Sequence, residues 1–401
     1  MEKSGLAEFN VKIVESCLVP PCLPLPRCTL YLSNLDNQPL VRINSNALLV
    51  YEGCENALAD PAKTIREALS KVLVYYYPLA GRLRKKEDGK LQLECTGEGV
   101  LFVEATVDNS LSVLGDLDKL EPSFKKLLFR FPSDTAIEDV HPIVIQVNHF
   151  VCGGFVVAVS FQHMVCDGRG IGQFLKGLGE MARGYVKPSI EPVWDRELLK
   201  PGNISVHDLE STKEKIETLV WQARTKVLEI SHTQNVSISF AVDVKRSFNP
   251  PLPNGYYGNG VVAASAQTIA HDVINQPLSY LVNIIKKTKI SLTNEYLRSI
   301  IDTDRFSSNI YSNQANIILS DWRWLGFDEV DFGSGSPVNI SPIYWNENGP
   351  NISNGFVFVH SPKRKFDAFK AIAWMPSQEF NLLEIEIKAI INKYLVNGSR
   401  C

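Results

Sequence analysis

Phe161-Gln162-His163-Met164-Val165-Cys166-Asp167-Gly168 sits at the junction of two contrasting patterns. Before it runs a β-rich apolar stretch, Phe155-Val156-Val157-Ala158-Val159-Ser160-Phe161, and after it comes a segment of helical character, Gly172 to Arg183. One histidine is thus set at a strand end, with an aspartate four residues on and a glycine directly after. Strand ends that open into turns let a rigid scaffold present one side chain to a cleft. Neutral imidazole is the side chain best matched to taking a proton near pH 7. His163 therefore reads as a general base.

Outward from this motif, Ile143 to Phe150 reads as a second strand, which the Gly153-Gly154 pair joins to the first as a hairpin across residues 152–154. Pro20 to Pro26 is too proline-rich to be helical and forms an extended lead-in. Asp60-Pro61 opens a helix to Leu73, with Asp60 as cap and Ile65, Leu69 and Val72 on one face. Strands follow at Lys90–Cys95 and Val100–Ala105. Residues 187–206 are proline-bearing and aperiodic, as a linker is. Beyond them come a helix over Lys213–Lys226 and an alternating strand over Val236–Val242. Helix and strand alternate in both halves, which predicts an α/β architecture with mixed sheets in two domains.

At 401 residues the chain exceeds one typical core, so two domains of about 200 residues each are expected. Hydrophobic residues at 45% and charged residues at 21% are ordinary for a soluble globular enzyme. A formal net charge of −3 argues against a nucleic-acid or acidic-membrane partner. No apolar run is long enough to span a bilayer, and Met1 to Glu8 lacks the core of a secretory signal. Eight scattered cysteines read as reduced thiols of a cytoplasmic protein. Asn-Ile-Ser triplets at Asn203, Asn339 and Asn351 matter only after secretion.

A second informative segment is Ser320 to Gly335, which ends in Asp331-Phe332-Gly333-Ser334-Gly335 and has glycines suited to unusual backbone angles. Its Asp-Phe-Gly lacks the other kinase motifs. Gly168-Arg169-Gly170-Ile171-Gly172 follows a strand, but Gln173 stands where a dinucleotide fingerprint needs glycine. No Gly-x-Ser-x-Gly elbow occurs. Neither Cys166 as a nucleophile nor Cys152, Cys166 and His163 as a metal site has a known ligand spacing, so no metal is expected.

His163-x-x-x-Asp167-Gly168 resembles the His-x-x-x-Asp motif of the plant BAHD acyl-CoA-dependent acyltransferases. Asp331-Phe332-Gly333-Ser334-Gly335, about 170 residues downstream, resembles their Asp-Phe-Gly-Trp-Gly signature. Val74 to Leu83, Trp221 to Thr225, Phe248 to Asn259 and Leu325 to Asp331 are also similar to family segments, and together look closest to the taxane O- and N-acyltransferases of yew.

This resemblance implies two chloramphenicol-acetyltransferase-like domains with a solvent channel between them. They would span 1–186 and 213–401, with 187–212 as a shortened crossover. It implies transfer of an acyl group, acetyl or benzoyl, from acyl-CoA to a hydroxyl or amine of a specialised metabolite such as a taxane-type diterpenoid. Acyl-CoA would be a co-substrate, with no bound cofactor, and the enzyme a cytoplasmic monomer. His163 would be the base. Asp167 would hold the loop through an ion pair, with an arginine partner that the sequence does not place, and Gly168 would complete the motif. Asp331, Phe332, Gly333 and Gly335 would support the fold around the CoA site. Arg246, Lys286, Lys287, Lys289 and Arg323 are candidates for a basic lip holding CoA phosphates.

Two departures from the family pattern stand out. Ser334 replaces a tryptophan, costing about 3–5 kcal/mol if that ring is buried. Between Pro201 and Ser211 the chain is shorter than the family's by a strand and a helix's worth, which makes an inactive binding paralogue the alternative expectation.

Overall fold

The apolar runs flanking Gly153-Gly154 form the expected hairpin. The computed structural model describes residues 8–53, 60–117, 121–132, 135–199, 212–303, 316–343, 355–360 and 369–398. In it, Ile143 faces Phe161 and Val147 faces Val157. This hairpin is the middle of a six-stranded sheet, in the order β1 (Val11–Val19), β6 (Val100–Val107), β7 (Ile143–Phe150), β8 (Phe155–Gln162), β3 (Asn44–Tyr51), β12 (Asn339–Ile343). Strands β6 and β7 are parallel and the other pairs antiparallel, so the sheet is mixed.

Both faces of β8 are covered, which is why its sequence is apolar throughout rather than alternating. On one face Val157, Val159 and Phe161 pack with Ile65, Leu69 and Val72 of helix α2 (Pro61–Val72) and Ile171, Phe174 and Leu178 of α3 (Gly168–Ala182). On the other, Val156 and Ala158 pack with Phe9, Phe124 and Leu127. Asp60 caps α2 through a 2.9 Å bond from the Lys63 N–H. Helix α3 starts four residues before the expected Gly172, because the Asp167 carboxylate caps it, accepting from the Gly170 N–H at 2.8 Å.

A five-stranded mixed sheet carries the second core, in the order β10 (Val261–Ile269), β9 (Asn235–Asp243), β11 (Asn316–Asp321), β13 (Gly355–His360), β14 (Phe369–Trp374). Strand β11 runs parallel to both neighbours. Trp221 of α4 (Thr212–Val227) and Leu281 and Ile285 of α6 (Leu278–Ile290) bury against it, and α8 (Ser377–Gly398) packs on α4. Short helices α5 (Ala270–Asn275) and α7 (Asn294–Thr303) complete this half. A three-stranded ribbon, β2 (Thr29–Leu30), β5 (Leu91–Glu94) and β4 (Arg82–Lys85), leads into the four-residue helix α1 (Asn34–Asn37).

Two expectations need amending. Strand β12 lies in the stretch 213–401 but pairs with β3, so the second half finishes the first sheet. The expected linker is anchored along its first part: Val193 bridges Tyr256, and the Arg196 side chain is fully buried. The shortened run from Pro201 to Ser211 lies outside the described residues, as do Asn203 and Asn351. Asn339 is buried in β12.

Candidate active site

His163 leaves the end of β8 with its N–H bonded to the Ile43 carbonyl at 3.0 Å. The residue is half-buried, and its ring lies 6.2 Å, centroid to centroid, from that of Phe161. Its Nδ1 is 3.0 Å from Oδ1 of Asn259, a residue of the other half of the chain. The far end of that amide fixes the chemistry. Asn259 Nδ2 donates to Asp36 Oδ1 at 2.8 Å and to the His163 carbonyl at 2.8 Å, both of which only accept. The amide oxygen must therefore face the imidazole, so Nδ1 carries the ring proton and Nε2 keeps its lone pair. Burial is the largest influence on this ring and lowers its pKa below the ordinary histidine value, against the pull of Asp167. A neutral imidazole with one bare nitrogen has the form in which a histidine can accept a proton.

Asp36 is itself held on every side. It accepts from the Ser33 N–H at 2.9 Å and the Ser33 hydroxyl at 2.6 Å, and it pairs with Arg196 at 3.3 Å. Arg196 donates to the Val165 carbonyl at 2.6 Å and the Trp194 carbonyl at 2.8 Å, bracing the turn between His163 and Asp167 from below. Its guanidinium stacks on Trp194 at 3.8 Å.

Asp167 is taken up by partners other than the imidazole. Its carboxylate takes the Lys245 ammonium at 2.5 Å and the Gly260 N–H at 3.1 Å, besides capping α3. Desolvation would raise its pKa, but Lys245 and the two N–H groups outweigh it and hold the carboxyl below the usual range. The expected ion pair is present, and its cation is a lysine rather than an arginine. Cys166 is sealed, and burial pushes its thiol far up, the opposite of an activated nucleophile.

The second signature docks on α3, where a Cβ on Gly179 would lie 2.5 Å from the Asp331 carbonyl oxygen. Asp331 Oδ1 accepts from the Gly333 and Gly335 N–H groups at 2.7 and 2.8 Å, closing a turn in which both glycines have positive φ, 108° and 84°. Phe332 is buried beside Tyr51, whose hydroxyl donates to the Val330 carbonyl at 3.0 Å. Ser334 is half-buried between two exposed glycines. Gly168 and Gly172 of α3 let this segment close in: a Cβ on Gly168 would lie 2.6 Å from a Leu325 methyl, and one on Gly172 only 1.8 Å from the Leu325 carbonyl oxygen.

The candidate lip residues differ in exposure and in pairing. Arg246 and Lys287 are exposed and Lys286 half-buried. Lys289 is claimed by Glu214 at 2.9 Å and Glu217 at 3.0 Å, which removes it from the lip. Arg323 is held in a fork by Asp321, at 2.9 and 2.8 Å. A cavity of about 220 Å³ lies beside the turn, with Arg42, Asn44, Phe131, His141, Ser160 and Gln162 among its walls; the His163 ring is not part of its lining.

A family model described as the Transferase family matches residues 9–207 and 202–386. The chain belongs to this family, the BAHD acyltransferases. Its relatives include the 3'-N-debenzoyl-2'-deoxytaxol N-benzoyltransferase of Taxus canadensis, 45% identical over 98% of this chain and 99% of the relative. The taxadien-5-alpha-ol O-acetyltransferase of Taxus cuspidata is 42% identical over the same shares. Vinorine synthase shares the fold at a TM-score of 0.75 and 21% identity, over 95% of this chain and 98% of that one. F. sporotrichioides TRI101, crystallised with coenzyme A and T-2, matches at 0.66 and 16%, over 89% and 97%. The alternative of an inactive BAHD paralogue finds no support among these comparisons. Among the described residues of this BAHD chain, no helix is long and apolar enough to cross a membrane.

Proposed function

We propose that this chain transfers an acetyl or benzoyl group from acyl-CoA to a hydroxyl or amine of a taxane-type diterpenoid, with His163 as the general base. The observation that carries the reading is the Asn259 amide, which leaves Nε2 of a neutral imidazole free. The names of the taxane relatives support the substrate class, and the coenzyme A in TRI101 supports the donor.

On this reading Nε2 removes the acceptor's proton as its oxygen or nitrogen attacks the thioester carbonyl. The tetrahedral intermediate collapses, the C–S bond breaks, and the CoA thiolate takes the proton that the imidazolium holds. Alcohols are weak nucleophiles near pH 7, and a positioned base contributes about 10²–10⁴-fold. Asp167 holds the turn and never meets the substrate. Asp331, Phe332, Gly333 and Gly335 seat the second half on α3, and Arg246, Lys286 and Lys287 offer positive charge to the CoA phosphates. The reading takes the enzyme as a cytoplasmic monomer of two acyltransferase halves, 1–186 and 213–401 with β12 crossing over.

The test is thiol release from acetyl-CoA and benzoyl-CoA with a panel of taxane and simple aromatic alcohols. Release with a taxane acceptor is expected, and His163→Ala should abolish it while leaving the circular-dichroism spectrum unchanged. Undiminished release by that variant would remove the base assignment.

A further inference from the structure

Cys28 and Cys95 lie outside the histidine site and face each other across two strands. Thr29 pairs with Glu94 and Leu30 with Leu93 where β2 meets β5. One step further along that register, the Cys95 N–H donates to the Cys28 carbonyl at 2.8 Å. Directly opposed residues of a hydrogen-bonded antiparallel pair have Cα atoms about 5.5 Å apart, within the roughly 4.4–6.8 Å that disulfides span. Cys28 is exposed and Cys95 buried, so an oxidant in solution reaches the first sulfur while the second waits beneath it.

We propose that Cys28 and Cys95 form a reversible disulfide that staples β2 to β5. With glutathione disulfide as oxidant, the Cys28 thiolate attacks one glutathione sulfur, releasing one glutathione thiolate and leaving a mixed disulfide on Cys28. Cys95 then gives its proton to water and attacks the Cys28 sulfur, breaking the mixed bond and expelling the second glutathione. Two protein thiols are oxidised and one glutathione disulfide is reduced to two thiols. Burial, with the Cys28 contact behind it, pushes the Cys95 thiol well up, so the second step is the slow one and quickens as pH rises.

The staple closes on a register already formed. Asn37 clasps the Leu91 backbone of β5 by both amide ends, at 2.8 and 3.3 Å, a few residues beyond β2. Oxidation therefore needs no rearrangement of α1, and the oxidised chain keeps its fold while gaining thermal stability. The proposal does not depend on the acyl-transfer reading.

The full-length protein would be equilibrated in glutathione buffers of graded ratio, alkylated, and digested without reduction. The expected result is a peptide containing Cys28 joined to one containing Cys95, with a melting temperature several degrees above that of the reduced protein. Cys28→Ser, a change at an exposed position, should fold normally and lose that rise. Glutathione adducts on Cys28 with Cys95 still alkylated at every ratio would overturn the proposal. So would a melting temperature indifferent to the linkage, or linkage of Cys95 to exposed Cys22 or Cys152 instead.

Discussion

Asn259 uses both ends of one amide at the histidine site, and the two ends predict different failures. Asn259→Ala leaves Nδ1 without an acceptor and frees the ring to turn. Turnover should fall by about 10²-fold, the scale of a small misplacement at a reacting centre, with KM for acyl-CoA little changed. Asn259→Asp places a negative charge against the imidazole and favours its charged form. The acid limb of kcat/KM should then move to higher pH. In the unsubstituted enzyme that limb should lie below pH 6.5, because burial lowers the His163 pKa; a limb above it would speak against His163 as the base. Asp167 fails in another way. Asp167→Asn unpairs a largely buried Lys245, which should cost about 3–5 kcal/mol in denaturant titrations and alter turnover far less. Unchanged stability beside a large loss of turnover would contradict the division of labour. His163 and Asp167 were legible because five consecutive residues hold both. Asp36, Arg196, Lys245 and Asn259 come from separate stretches of chain, and only folding makes them neighbours. The sequence did carry traces of them: a Ser33-x-x-Asp36 box, an arginine inside Trp194 to Leu198, and the asparagine that ends Phe248 to Asn259.

Helix α3 joins the two halves through its missing side chains. A Cβ on Gly172 would lie 1.8 Å from the Leu325 carbonyl oxygen, and one on Gly170 would lie 2.0 Å from the Tyr257 carbonyl oxygen. Both alanine variants should destabilise by about 1–3 kcal/mol, the usual cost of overpacking. They should differ in catalysis. Gly170→Ala displaces the strand lead-in two residues before Asn259 and should lower turnover of the surviving folded enzyme, whereas Gly172→Ala displaces the loop at Leu325 and should spare it. Kinetics corrected for the folded fraction would separate the two. From sequence, the helix was placed from Gly172 on, and glycine is a poor helix former. Tertiary contact overrode that propensity, because the helix needs a face bare enough for two incoming backbones. The strands at 143–150 and 155–162 were easier to read, their length and β-branched content leaving no competing pattern.

At the scale of the whole molecule, acid sensitivity follows from two histidines kept neutral. Burial lowers the His163 pKa and takes that of His141 down to about 4. Between the unfolded value near 6.5 and those lower values, the unfolded chain binds protons that the folded chain refuses. Stability should therefore drop as pH falls through that window, and denaturant midpoints at pH 7.5 and 5.5 should show it. Midpoints that rise on acidification would contradict the burial of these rings. The α/β class with mixed sheets was legible from alternating elements, but the route of β12 was not. Nothing local in Asn339-Ile340-Ser341-Pro342-Ile343 says which sheet it joins, although Pro342 suits it to an edge. That route matters while the protein is being made. Strand β3 emerges early from the ribosome, yet its outer hydrogen-bonding groups find no mate until residue 343 has been synthesised. A nascent chain stalled at mid-length presents a raw, adhesive ribbon to its surroundings, so the two halves made as separate polypeptides would clump before they could meet.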